Sequence, residues 1–143
     1  MNRKRFSLVK PTLQTPFHID FDWWKGNDRN WRVYLYSYLD SADQERITEV
    51  EQDLQIDLVD PRTAEVHRVD GLQHLIISRY ARREGFIRET TSTAESIFRL
   101  LLANGNIALT PVEIGERLGR EPKTVLNLLA GERTYKGIRP FLD

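Results

Sequence analysis

Apolar positions change their period several times along this chain, and each change marks an element. Phe17, Ile19 and Phe21 alternate with His18, Asp20 and Asp22, a period of two that predicts a short strand with one buried face. Trp23 to Asn27 reads as a turn anchored by aromatic side chains. From about Asp28 to Leu39 the period lengthens, and Trp31, Tyr34, Leu35, Tyr38 and Leu39 form one helical stripe. Ser41 with Gln44 is a capping-box pattern that predicts a second helix with Ile47, Val50 and Leu54 inward. Ile56–Val59 and Val66–Val69 flank Asp60-Pro61-Arg62-Thr63-Ala64-Glu65, whose turn chemistry predicts a β-hairpin.

Asp70 is the expected cap of a helix from about Gly71 to Arg83, with Leu72, Leu75, Ile76 and Tyr80 inward and Arg79, Arg82 and Arg83 outward. The polar run Thr90 to Thr93 is the expected boundary between an N-terminal module and a C-terminal one. Ser92 and Glu95 form a further capping box for a helix to about Ala103, with Ile97, Leu100 and Leu101 inward. Asn104-Gly105-Asn106 stops it.

The segment from Thr110 to Ala130 is the most informative. Thr110 is a good N-cap, Pro111 suits the first helical position, and Glu113 completes a capping box. Ile114 and Leu118 fall one turn apart, with the small Gly115 between them. Gly119 ends the helix by supplying a positive φ without a Cβ clash. Pro122 restarts a helix at once, with Val125, Leu128 and Leu129 as its buried stripe. Two short helices joined by a glycine turn are the geometry of a helix-turn-helix, in which Gly115 lets the second helix cross closely over the first.

Residues 111–129 resemble the helix-turn-helix segment of many bacterial regulators in Gly115, Gly119 and the apolar Ile114, Leu118, Val125 and Leu128. One position departs: Arg120 stands where that family usually has an apolar residue, and an arginine there buries its stem and exposes its head. With the preceding helix the resemblance extends to a three-helix unit, and it implies a winged-helix or helix-turn-helix domain. Residues 122–129 are then the recognition helix, presenting Lys123, Thr124 and Asn127 to base edges, with Asn127 suited to adenine and Lys123 to guanine or phosphate. Leu126 on that face fits a thymine methyl or a protein contact. The resemblance also implies a β-wing after this helix. Arg133, Lys136 and Arg139 recur at threes there with Tyr135 among them, a pattern suited to phosphate contacts on a small or incomplete wing.

Composition narrows the functions. There is no cysteine among the 143 residues, which removes disulfides, thiolate metal sites and cysteine nucleophiles. No apolar core follows the basic residues of 1–10, so no signal peptide is read, and a soluble, cytoplasmic protein is expected. Charge is balanced at 21 basic and 21 acidic residues but unevenly spread. Arg3, Lys4, Arg5 and Lys10 open the chain, a basic arm suited either to a groove or to a solvated terminus. The stretch Asp40–Asp70 holds ten acids against three arginines. Residues 110–143 are near neutral, six basic against five acidic, which leaves protein docking open beside DNA binding.

His18, Asp20 and Asp22 share one strand face and admit a metal in principle, but a polar strand face is the plainer reading. His67 and His74 join no ligand pattern, and neither a phosphate loop nor a nucleophile elbow is present, so no cofactor, metal or enzymatic activity is expected. Trp23, Trp24 and Trp31 suit core anchoring better than base stacking.

The expected fold is α+β and mostly helical. Residues 1–90 form a dimerisation or partner-binding module of strand, helices and hairpin, and 91–143 form the helix-turn-helix unit. The expected function is binding of double-stranded DNA as a homodimer, in transcription regulation. The contact residues are Arg120, Lys123, Thr124, Asn127, Arg133, Tyr135, Lys136 and Arg139. The alternative is a non-enzymatic adaptor or assembly subunit that docks protein through the same fold.

Overall fold

A computed structural model describes residues 10–47, 55–87 and 92–142. The described residues form an α+β fold, mostly helical, with two small antiparallel sheets. Contacts divide the chain differently from a linear split at residue 90. One unit comprises the described residues of Met1–Asn27 and Ile87–Asp143, and the other is Asp28–Phe86.

The first unit is built around α5 (Thr93–Ala103), a helix whose Ile97, Phe98, Leu101 and Leu102 are fully buried. Ser92 caps it as expected, accepting from the Glu95 amide at 3.2 Å. Strand β1 (Phe17–Ile19) is expected in an N-terminal module but pairs antiparallel with β4 (Ile138–Pro140), in the register His18 opposite Arg139. Leu109 adds an isolated bridge on the other side of Phe17, so three segments distant in sequence lie side by side. The Asn106 amide fastens this arrangement. It accepts from Ile19 N and donates to Ile19 O, each at 2.8 Å. No local pattern announces these pairings, because each bonds residues about a hundred positions apart.

Phe21 does not continue the strand. It opens α1 (Phe21–Asn27), where a turn was expected, because the Asp20 carboxylate accepts from the Trp23 amide at 3.0 Å in the manner of a cap. The alternation of 17, 19 and 21 therefore spans a strand and a helix start. Trp24 is buried edge-on against Phe98, with ring centroids 5.5 Å apart.

In the second unit, α2 (Trp31–Tyr36) is shorter than the predicted 28–39 helix and buries Trp31 and Leu35, while Tyr34 is exposed. The cap of α3 (Ser41–Arg46) is Asp40, one residue before the predicted Ser41. Val50 and Leu54 lie outside the described residues. The predicted hairpin is present as β2 (Gln55–Val59) and β3 (Val66–Asp70). Asp70 caps α4 (Gly71–Ser78) and also takes the Arg32 guanidinium at 2.6 Å, which explains why a buried carboxylate is tolerated there. The helix predicted to reach Arg83 stops at Ser78 and gives way to a single 3-10 turn, Tyr80–Arg82. Buried Tyr80 donates its hydroxyl proton to Asp43, which Arg46 also holds. These bonds hold the Asp43 carboxyl below its ordinary range, and burial with the same bond raises the Tyr80 phenol.

Candidate nucleic-acid interface

The helices α6 (Pro111–Leu118) and α7 (Pro122–Leu129) are joined by Gly119, Arg120 and Glu121. Local chemistry accounts for both ends of α6. The Thr110 hydroxyl accepts from the Glu113 amide at 3.2 Å, and the Glu113 carboxylate accepts from the Thr110 amide at 2.9 Å. Gly119 has φ 68°, the left-handed conformation that closes the helix. The crossing depends on Gly115. A Cβ there would stand 2.5 Å from the Arg120 carbonyl oxygen and 3.3 Å from the Pro122 nitrogen, both backbone atoms that cannot rotate away. The same Arg120 donates its amide to Gly115 O at 2.9 Å. The turn is thus folded directly onto the helix before it.

Ile114 and Val125 are fully buried, as their spacing predicts. Leu118 and Leu129 are half-buried. Leu128 is 42% exposed and does not belong to the buried stripe, while Leu126, placed on the outer face by the pattern, is half-buried. The inward face of α7 is therefore centred on Val125, and on this eight-residue helix the leucines around it reach its margins.

The expected contact residues fall into two sets. Arg120, Lys123, Thr124 and Asn127 are all exposed, on the turn and the first two turns of α7. Acidic Glu116 and Glu121 are exposed beside them, so the surface is mixed rather than uniformly positive. Arg117 is also exposed and donates to the Asn104 side chain at 3.3 Å. Arg133 is exposed as well.

The second set is drawn into the fold. Lys136 pairs with Glu95 at 2.8 Å, retains only 16% side-chain exposure, and lies 5.1 Å from the centre of the Phe98 ring. Tyr135 donates to the same carboxylate at 2.6 Å. Glu95 also takes Arg99 at 2.9 Å, one helical turn along, so one anion gathers three donors. Arg139 pairs with Asp20 at 3.1 Å and stacks over Trp23 at 5.0 Å. The expected wing is not formed as a hairpin of this segment, because β4 takes β1 as its partner. Lys136 and Gly137 both have positive φ, and Gly137 is packed so closely that a Cβ would lie 2.8 Å from the Trp24 Cβ. Glu95 is the residue that the pattern misses. Its position three after Ser92 marks it as a capping residue, and nothing local indicates that it reaches residues 135 and 136.

The polar face of His18, Asp20 and Asp22 does not converge on a metal. Asp20 is engaged with Trp23 and Arg139, Asp22 lies on α1, and the described residues hold no cluster of three potential ligands. His18 packs edge-on against Phe141 at 4.8 Å. Burial there lowers its pKa, Asp20 opposes the shift, and Arg139 reinforces it. Trp24 and Trp31 are buried, and Trp23 is half-buried beneath Arg139, as core anchoring requires. Among the described residues no helix is long and apolar enough to cross a membrane. Comparison of the chain with protein-family models, curated proteins and solved structures finds no match.

Proposed function

We propose that the protein binds double-stranded DNA through α7, with Lys123, Thr124 and Asn127 meeting base edges and Arg120 and Arg133 meeting phosphates. The observation that carries this reading is the close approach of the Arg120–Pro122 backbone to Gly115. It rigidly fixes the angle at which α7 leaves the turn, and the polar side chains at the start of α7 are left exposed. A rigid element with outward polar groups is what direct readout of a groove needs. Tyr135, Lys136 and Arg139 act in this reading as supports for the fold rather than as contacts. One short helix reads few base pairs, so a homodimer on a two-fold site is the natural assembly, and transcription regulation is the corresponding role.

The test is fluorescence anisotropy of random-sequence duplex DNA across a salt series. Micromolar binding that weakens steeply with salt is expected, because phosphate contacts release counterions. Absence of binding at low salt would overturn the proposal. The adaptor reading has its own support: Leu128 and Val112 are exposed apolar residues on these two helices, and two of the expected basic contacts, Lys136 and Arg139, are paired internally. Under that reading a double Lys123→Ala, Asn127→Ala variant keeps its partner, whereas under the DNA reading it loses the duplex.

A further inference from the structure

The unit Asp28–Phe86 contains a cleft of about 630 Å³, within the size range of small-molecule sites. Its walls are apolar: Ile47 at the end of α3, Ile56 on β2, and Leu72 and Leu75 on α4. Leu75 lies on the stripe of α4 that pattern assigns to the core, yet it is only half-buried, because its outer side faces this opening. An apolar wall left partly wetted gains from any apolar occupant.

The polar groups of the cleft are cationic or neutral. Arg79, expected to point outward, is the residue that closes α4 and lines the same opening as Leu75. It is exposed and makes no ion pair among the described residues. The other arginine of the cleft, Arg46, pairs with Asp43, which Tyr80 also holds and which attracts Arg79 as well. Two arginines against one carboxylate leave room for one further negative charge. His74, whose backbone carbonyl accepts from Ser78, adds a ring nitrogen to the lining. The stretch of chain that supplies Arg46, Ile47 and Ile56 is acidic: the described residues of 40–70 hold seven acids against three arginines. That field disfavours polyanions such as nucleic acids and nucleoside polyphosphates, whereas a monoanion a few ångströms from Arg79 is governed by the local pair.

We propose that this cleft binds a small apolar monocarboxylate, with the hydrocarbon between Ile56, Leu72 and Leu75 and the carboxylate on the Arg79 guanidinium. The site stands independently of the DNA reading, since none of its residues belongs to α6 or α7.

The experiment is calorimetric titration of the full chain with three probes of equal chain length: sodium octanoate, 1-octanol and octylammonium chloride. Octanoate is expected to bind saturably at one site, and octanol at least about tenfold more weakly, because a charge-assisted hydrogen bond distinguishes the two. Octylammonium is expected to be weakest. Arg79→Ala should bring octanoate down to the octanol level, and Arg79→Lys should restore part of the difference. Leu75→Asp should abolish binding of octanoate, with the thermal transition recorded to confirm folding. Equal affinity for octanoate and octanol would overturn the carboxylate assignment, as would octanoate binding unchanged in Arg79→Ala. No saturable heat with octanoate would overturn the site altogether. The three-probe comparison on the unmodified chain decides the matter even if a variant fails to fold.

Discussion

The helix pair α6–α7 and the segment that follows it both carry basic residues at intervals, but they hold them in opposite ways. On the turn and on α7, Arg120, Lys123 and Asn127 project from backbone that is fixed by glycine conformation and capping, and their side chains are exposed. After α7 the backbone has little regular structure of its own before the three-residue β4, and the side chains do the holding. Lys136 and Tyr135 converge on Glu95, and Arg139 converges on Asp20. Where the backbone holds itself, the charges are free for a partner. Where it does not, the charges hold the backbone. A partly buried lysine paired with a partly buried glutamate has already lost much of its hydration, so pulling it out to grip a phosphate forfeits that pair.

The contrast can be broken most forcefully at Gly115. Gly115→Val places a branched side chain against the Arg120 carbonyl, and about 3 kcal/mol of stability should be lost, as for a severe overpacking substitution. Urea unfolding monitored by circular dichroism measures it, and an unchanged midpoint would mean that the two helices do not need the close crossing. The next effect is at Glu95. Glu95→Gln leaves Lys136 without its anion and should cost about 1–2 kcal/mol, since hydrogen bonds to charged groups contribute more than neutral ones. Duplex affinity of the folded fraction should stay level. A rise in affinity would show instead that Glu95 restrains Lys136 from DNA.

Lys123→Ala with Asn127→Ala is the converse experiment. Both residues are exposed, so stability should change by no more than about 0.5 kcal/mol. Duplex affinity should nevertheless fall about tenfold or more. Loss of stability without loss of affinity would exchange the roles assigned to the two regions.

The smallest effect concerns His18, opposite Arg139 in the β1–β4 ladder. Its folded pKa is depressed, chiefly by burial, so the unfolded chain takes up a proton more readily than the folded one. The neutral ring's contribution to stability is therefore present above the ordinary histidine value near 6.5 and diminishes as pH falls through it towards the folded pKa. A shallow loss of stability on acidification, flattened in His18→Gln, is the expected result, and the titration of the His18 ring by NMR checks it directly. Identical pH profiles for the two proteins would remove His18 from the account.

The helix caps Thr110, Ser92 and Asp70, the hairpin, and the roles of Gly115 and Gly119 were all legible along the chain. In each case the deciding contacts lie within a few residues, where a hydrogen bond or a φ angle depends on immediate neighbours. Short apolar runs misled where two elements share them, as at Phe21, where strand alternation runs into a helix because Asp20 turns back to cap Trp23. The exposed half of the candidate site followed from helical spacing, since outward residues on a helix are set by its own period.

The amino-acid sequence alone thus determined the caps of α4, α5 and α6, the turn between α6 and α7, and the outward placement of Lys123, Thr124 and Asn127 on α7. Only the tertiary structure decided that β1 pairs with β4, that Asn106 clasps Ile19, and that Lys136 and Arg139 are spent on Glu95 and Asp20. The physical reason is the range of the interactions. Capping and backbone strain act across one turn of chain, whereas sheet pairing and partly buried ion pairs join residues that meet only after the loops between them have closed.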